Sequence, residues 1–316
     1  MTTWGHGVPC GRFALAAAAA LMCGGCGPKD YDTLARKLVV PAALPGQVML
    51  AFTGTGEQMI QRGRINEHRR IEGAAGCDID VWVIHSRQVD PAEAARRVVR
   101  GTVVLLHPLL LSKSWWLETG EALAARGWDV VLPDLRAHGR SEGQYVTWGY
   151  REKRDIRAVM DALLATGRPR EGIYVVGASL GGAVAIQYAA IDPRVRGVLV
   201  FAPPKSMREI GRRILLLESE ADYETALRRA QEMAGIPAGQ ASTLAAAQDL
   251  RCPLRIAHGM WDFVVPYDHS QAIYEAAAGP KEFLSIGGAG HAAEIGRKAW
   301  ICEQVDALAE MSAEGE

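Results

Sequence analysis

The stretch GIYVVGASLGGAVAIQYAA, Gly172 to Ala190, sets three local patterns in a row. Ile173 to Val176 is short, apolar and β-branched, the composition of a strand buried on both faces. Gly177-Ala178-Ser179-Leu180-Gly181 follows, a G-x-S-x-G match. Ala183 to Ala190 then offers helix formers and no proline. Strand, tight turn and helix in that order would hold Ser179 at the tip of a sharp bend, with its hydroxyl clear of the sheet. The plainer reading is an ordinary serine in a glycine-rich connection, and the rest of the chain must decide between them.

The same rhythm recurs on both sides. GTVVLLHP (Gly101–Pro108), DVVLPD (Asp129–Asp134), VRGVLVFAPP (Val195–Pro204) and PLRIAHG (Pro253–Gly259) are continuous apolar runs, and KEFLSIGG (Lys281–Gly288) follows them. Between them lie helical patterns: Trp115–Gly127, Arg151–Thr166 with Ile156, Val159, Met160, Leu163 and Leu164 on one side, Tyr267–Ala278 and Ala292–Ala309. This is the α/β class, a mostly parallel central sheet with helices on both faces. Ahead of it, VMLAF (Val48–Phe52), HRRIEG and DIDVWVIHS (Asp78–Ser86) read as opening antiparallel strands. After Pro203–Pro204 the rhythm breaks, and about 205–250 is helical without a strand pattern. An insertion there would overhang the carboxyl edge of the sheet as a small lid. Its run Ile214–Leu217 either packs among the lid's own helices or lines a pocket.

With 316 residues, the chain can bury a substantial core. A net charge of −1 and the lack of any long basic run exclude nucleic acid as an expected partner. No histidine–carboxylate cluster has metal spacing and no glycine-rich phosphate loop follows a first strand, so neither a metal nor a cofactor is expected.

Arg12 precedes an apolar core, Phe13 to Met22, and small residues follow it. That order is a secretory signal, too short to span a bilayer lastingly. Residues 1–26 are therefore expected as a signal peptide, 27–47 as a linker with Pro41 and Pro45, and 48–312 as the folded domain. Gly24-Gly25-Cys26 resembles the lipobox of bacterial lipoproteins, with Cys23 standing where leucine is usual. The resemblance implies that Cys26 is lipidated and tethers an exported protein to a membrane; plain secretion with cleavage nearby is the alternative. Cys77, Cys252 and Cys302 lack paired spacing and read as small buried groups.

Three residues stand at carboxyl ends of expected strands: Ser179, Asp262 in HGMWDFVVP, and His291 in GGAGH. Serine, aspartate, histidine is the chain order of the α/β-hydrolases. LLHPLLLSKSWW resembles the oxyanion loop of that superfamily, DLRAHGRSEG (Asp134–Gly143) its D-x-R-x-H-G-x-S turn, and YVTWGYREKRDI its serine-esterase and lysophospholipase-like branch. From about Val48 to Ala309 the chain resembles this family.

The resemblance implies that Ser179 attacks a carbonyl, His291 takes and returns its proton, and Asp262 holds the imidazole. Gly177 and Gly181 would permit the tight elbow. The backbone N–H groups of Leu180 and Leu109 would receive the oxyanion, although Pro108 replaces a usual glycine in that loop. His107, His138 and His258 also sit beside strand ends, at motif positions that are structural in the family. Asp268 and Glu294 read as spare solvent-facing carboxylates, and Arg151–Asp155 as a solvated helix face. Trp115 and Trp116 either wall a pocket or pack in the core.

The expected activity is hydrolysis of small-molecule carboxylic esters with an apolar acyl group. A peptidase or thioesterase would use the same triad, and a non-catalytic lipid-binding protein would need none. Epoxide hydrolases and dehalogenases on this fold carry a carboxylate at the elbow, which Ser179 excludes.

Overall fold

Eight strands form one mixed sheet in the computed structural model, which describes residues 29–41, 54–86, 100–167, 172–217, 219–292 and 296–314. Cys26 and the strand expected at Val48–Phe52 lie outside these residues. The strands are β1 (Glu67–Glu72), β2 (Asp78–Ile84), β3 (Thr102–Leu106), β4 (Asp129–Pro133), β5 (Ile173–Ala178), β6 (Val195–Phe201), β7 (Leu254–Gly259) and β8 (Lys281–Ile286). Their spatial order is β1-β2-β4-β3-β5-β6-β7-β8. β1 and β2 are antiparallel to each other, β2 is antiparallel to β4, and every pairing from β4 to β8 is parallel.

The central strands are buried on both faces, and their side chains divide by alternation. Val104, Leu106, Val175, Val198 and Val200 join one core; Val103, Leu105, Val176, Leu199 and Phe201 join the other. Helices cover both: α1 (Tyr31–Val39), α2 (Gly56–Gln61), α3 (Leu117–Ala125), α4 (Glu152–Leu164), α5 (Leu180–Ala189), α6 (Met207–Leu215), α7 (Glu220–Ala234), α8 (Thr243–Asp249), α9 (Tyr267–Ala276) and α10 (Lys298–Ala313). α4 buries Ile156, Val159, Met160 and Leu163 in the first core, one stripe at helical spacing. α10 buries Ile301, Cys302, Val305 and Leu308 in the second.

α6, α7 and α8 occupy the interval between β6 and β7. Each starts at a serine whose hydroxyl accepts a backbone N–H of the first turn: Ser206 from Glu209, Ser219 from Asp222, Ser242 from Ala245. Gly235, at φ 62, ends α7.

The segment expected as a linker, 27–47, is not one throughout. Its residues 31–39 form α1, capped by the Asp30 carboxylate, which accepts from Asp32 and Thr33. Ala35, Leu38 and Val39 are buried, the Trp148 indole donates to the Leu38 carbonyl at 2.8 Å, and Val146 donates to Val39 at 2.8 Å. Tertiary packing against α7 and α6 stabilises a helix too short to persist alone.

The expected solvated face Arg151–Asp155 is also corrected. Glu152 is fully buried and accepts from Thr147 N–H (2.6 Å) and Gly149 N–H (2.8 Å), while Asp155 is buried against the Arg136 guanidinium at 2.6 Å. These acids tie the loop after β4 to the start of α4. Cys77, Cys252 and Cys302 are free thiols.

Candidate active site

β5 ends at Ala178 and α5 begins at Leu180, which leaves Ser179 alone to make the reversal. Its backbone sits at φ 51, ψ −116, a region costing a non-glycine residue about 1–3 kcal/mol. The surroundings hold it there: Ser179 N–H donates to the Phe201 carbonyl on β6 at 2.8 Å. The flanking glycines are sterically required. A Cβ on Gly177 would lie 2.2 Å from the Gly181 carbonyl oxygen, and one on Gly181 would lie 2.2 Å from that of Leu106.

Asp262 and His291 meet on the loops that follow β7 and β8. His291 Nδ1 lies 2.7 Å from Asp262 Oδ2. A carboxylate accepts only, so Nδ1 carries a proton, and in the neutral ring Nε2 presents the lone pair. Asp262 Oδ1 accepts the N–H groups of Val264 (2.8 Å) and Val265 (2.9 Å). Burial by itself would raise the Asp262 carboxyl, but hydrogen bonds from His258 and His291 outweigh it and hold the group well below the ordinary carboxylate range. The aspartate is buried and the imidazole partly open. Among the described residues no hydrogen bond joins the Ser179 hydroxyl to His291. In such sites this bond is often long without substrate and tightens when substrate binds.

His258 is a partner that sequence reading placed only as structural. It is fully buried, its Nε2 lies 3.0 Å from the Val265 carbonyl and 3.2 Å from Asp262 Oδ2, and its Nδ1 lies 2.6 Å from the Ser270 hydroxyl. Both neighbours of Nε2 are acceptors, so Nε2 donates and Nδ1 accepts from Ser270. Two imidazoles therefore converge on one carboxylate oxygen. Only the histidine directly before Gly259 hints at this in the sequence.

The loop after β3 is ordered by His107. The Leu135 N–H donates to His107 Nε2 at 2.9 Å, so the ring proton sits on Nδ1, which donates to the Pro108 carbonyl at 2.8 Å. Burial, with a smaller push from His138, lowers the imidazole to about 3, so it stays neutral. The Pro108 carbonyl also accepts from Leu111 N–H at 3.3 Å, closing a turn in which Leu110 adopts φ 67. In a trans peptide the N–H points opposite its carbonyl. Fixing the Pro108 oxygen thus fixes the direction of the Leu109 N–H. Among the described residues, neither Leu109 N–H nor Leu180 N–H is used in a hydrogen bond; Leu180 also opens α5, where the helix dipole favours negative charge. Proline in place of glycine costs the loop no needed donor, because the N–H in question belongs to the next residue.

The fold is that of the α/β-hydrolases. A family model described as serine aminopeptidase, S33, matches residues 97–225. The esterase Pf2001 of Pyrococcus furiosus superimposes with a TM-score of 0.63 at 21% identity, covering 87% of this chain and 99% of that one. In sequence, the chain is 24% identical to the uncharacterized protein YqkD of Bacillus subtilis over 241 residues, 72% of this chain and 77% of the relative. It is 36% identical to epoxide hydrolase B of Mycobacterium tuberculosis over 109 residues, 34% of this chain and 30% of that protein.

The other candidate residues fall outside the cluster. His138 is buried, with Nδ1 donating to the Arg136 carbonyl at 2.9 Å. Asp268 is exposed and pairs with Lys205 at 3.0 Å. Glu294 lies outside the described residues. Trp116 is fully buried in the second core beside Phe201, whereas Trp115 is half-buried. The run Ile214–Leu217 divides: Leu215 is buried, Leu216 is exposed at φ 49, and Ile214 and Leu217 pack partly against the core.

Proposed function

We propose that the protein is a serine hydrolase that cleaves carboxylic esters with an apolar acyl group through an acyl-enzyme. The observation that carries this reading is the strained serine elbow at φ 51, together with a proton-accepting imidazole locked by Asp262 at 2.7 Å. Ser179 attacks the ester carbonyl while its proton passes to His291 Nε2. Asp262, ionised throughout, stabilises the imidazolium. The Leu109 and Leu180 N–H groups receive the developing oxyanion. His291 then protonates the leaving alcohol; water enters, is deprotonated by the same nitrogen, and releases the acid. Half-buried Leu109 and Leu111 beside the elbow favour an apolar acyl chain.

The local likeness to an epoxide hydrolase does not bring epoxide chemistry with it, because a serine stands where those enzymes use a carboxylate nucleophile. A peptidase is the second reading, favoured by the serine aminopeptidase description of the matching family. The separating experiment is a panel of p-nitrophenyl acyl esters of graded length, run beside amide and thioester analogues, with fluorophosphonate labelling. Labelled protein that turns over esters alone supports the first reading. Faster amide turnover would establish the second, and an unlabelled, inert protein would point to a lipid-binding role.

We also propose export, with Cys26 as the lipidated first residue of the mature chain. This rests on the apolar leader and the small residues before that cysteine.

A further inference from the structure

We propose that an apolar rim beside the site seats the protein on an anionic lipid surface. Four of the five consecutive residues Met260–Val264 are large, apolar and exposed, with Phe263 83% and Trp261 65% accessible; Asp262 alone turns inward. Leu216, at the end of α6, is exposed too, and the Arg213 side chain donates to the Phe263 carbonyl at 2.8 Å. Lid end and Asp262 loop therefore form one edge. Large aromatic groups held in water without cover mark a surface that meets another phase or another molecule.

The occupant follows from where the proposed anchor joins the fold. Lys29 pairs with Asp222, and the Tyr31 hydroxyl donates to the same carboxylate at 2.6 Å. Asp222 lies in the first turn of α7, directly after the connection that carries Leu216, and the Arg212–Glu220 pair clasps α6 to α7 at that end. From Cys26 to Lys29 the chain can reach at most about 11 Å. The proposed lipid anchor therefore emerges beside the rim, and the membrane holding it faces Phe263 and Leu216. Arg213 is exposed and, among the described residues, has no carboxylate partner, so it supplies a cation at the depth of lipid headgroups. Aromatic rings sunk into the headgroup boundary would aim the site's opening at substrates with one end in the bilayer. This inference rests on the anchor reading for its geometry but not for its test.

The test uses the chain carrying Cys26→Ser, which cannot be acylated there, and adds Trp261→Ser and Phe263→Ser singly and together. Partition is measured by co-sedimentation with phosphatidylglycerol–phosphatidylcholine vesicles and with phosphatidylcholine vesicles. Trp261→Phe supplies a difference in quenching by brominated lipid that reads this indole alone. The expected result is a loss of at least about tenfold in partition for the double variant, a several-fold loss for Arg213→Gln on anionic vesicles only, and bromolipid quenching that disappears with Trp261. Turnover of a water-soluble acetate ester should stay within about twofold, reporting an intact fold. Unchanged partition and absent quenching would overturn the proposal. So would a dimer that dissociates in the double variant, which would assign the rim to a second copy. A shifted acyl-length preference with unchanged partition would make it a substrate wall. If the parent hydrolyses no ester yet shows the partition and quenching differences, the hydrolase reading fails while the rim stands.

Discussion

Replacing His107 by asparagine separates the positioning of the oxyanion loop from its mere presence. The wild-type imidazole spans two backbone groups, accepting from Leu135 N–H at 2.9 Å and donating to the Pro108 carbonyl at 2.8 Å. Asparagine is too short to hold both. With the carbonyl released, the Pro108–Leu109 peptide is free to rotate, helped by the strain at Leu110. The Leu109 N–H then leaves the position proposed for the oxyanion. Removal of one such donor costs about 10²–10³ in kcat, or about 3–4 kcal/mol of transition-state stabilisation. KM for a short ester should change little, because the ground-state carbonyl uses the donor weakly. Stability gives a second, independent readout. In the unfolded chain the imidazole takes up a proton below about pH 6.5, but in the folded protein only near pH 3. Between those values the unfolded state holds more protons, so stability falls as the pH drops, by about 1.4 kcal/mol per pH unit inside the window. His107→Asn removes that contribution. Its melting temperature is lower at neutral pH, because buried groups lose partners at about 1–3 kcal/mol each, and it declines less steeply between pH 6.5 and 4. The assay is ester turnover and fluorophosphonate labelling at a temperature where circular dichroism shows both proteins folded. A folded variant with kcat within threefold of wild type would refute the assignment of His107 as the residue that aims Leu109.

Ser179→Ala should abolish fluorophosphonate labelling and lower kcat by about 10⁴-fold or more with the fold retained; labelling that survives would displace the nucleophile elsewhere. Asp262→Asn should cost about 10⁴-fold, because the Val264 and Val265 N–H groups hold the amide oxygen and turn its NH₂ toward His291, which must then accept at Nδ1 and lose its free Nε2 lone pair. Near-normal turnover in that variant would show that another carboxylate orients the base. Cys26→Ser should shift the protein out of the washed membrane fraction of a host that processes lipoproteins, while an unmodified mature N-terminus elsewhere, read by mass spectrometry, would refute the anchor.

What the sequence reveals about this protein follows the range of the interactions involved. The elbow was legible because its signal is local: a β-branched run, two glycines that only a close approach requires, and a helix start lie within one short stretch. Asp262 and His291 were legible as positions because parallel strands deliver residues after their carboxyl ends to one edge, whatever lies between them. α1 was not. Its three buried residues, Ala35, Leu38 and Val39, form a weak stripe whose partners on α7 and Trp148 lie more than a hundred residues away, and the prolines nearby suggested a linker. Glu152 and Asp155 failed for the same reason: a charged helix start looks solvated until the loop that it caps is folded over it. The site's finer wiring is more remote still. Nothing in LLHP or IAHG states which nitrogen of His107 or His258 carries the proton; that is set by Leu135 N–H in one case and by Val265, Asp262 and Ser270 in the other. In both, a buried imidazole acts as a two-ended spacer. One fixes a peptide plane beside the elbow, and the other braces the carboxylate that orients His291. A tautomer is thus a tertiary property, and the orientation of this site depends on two of them.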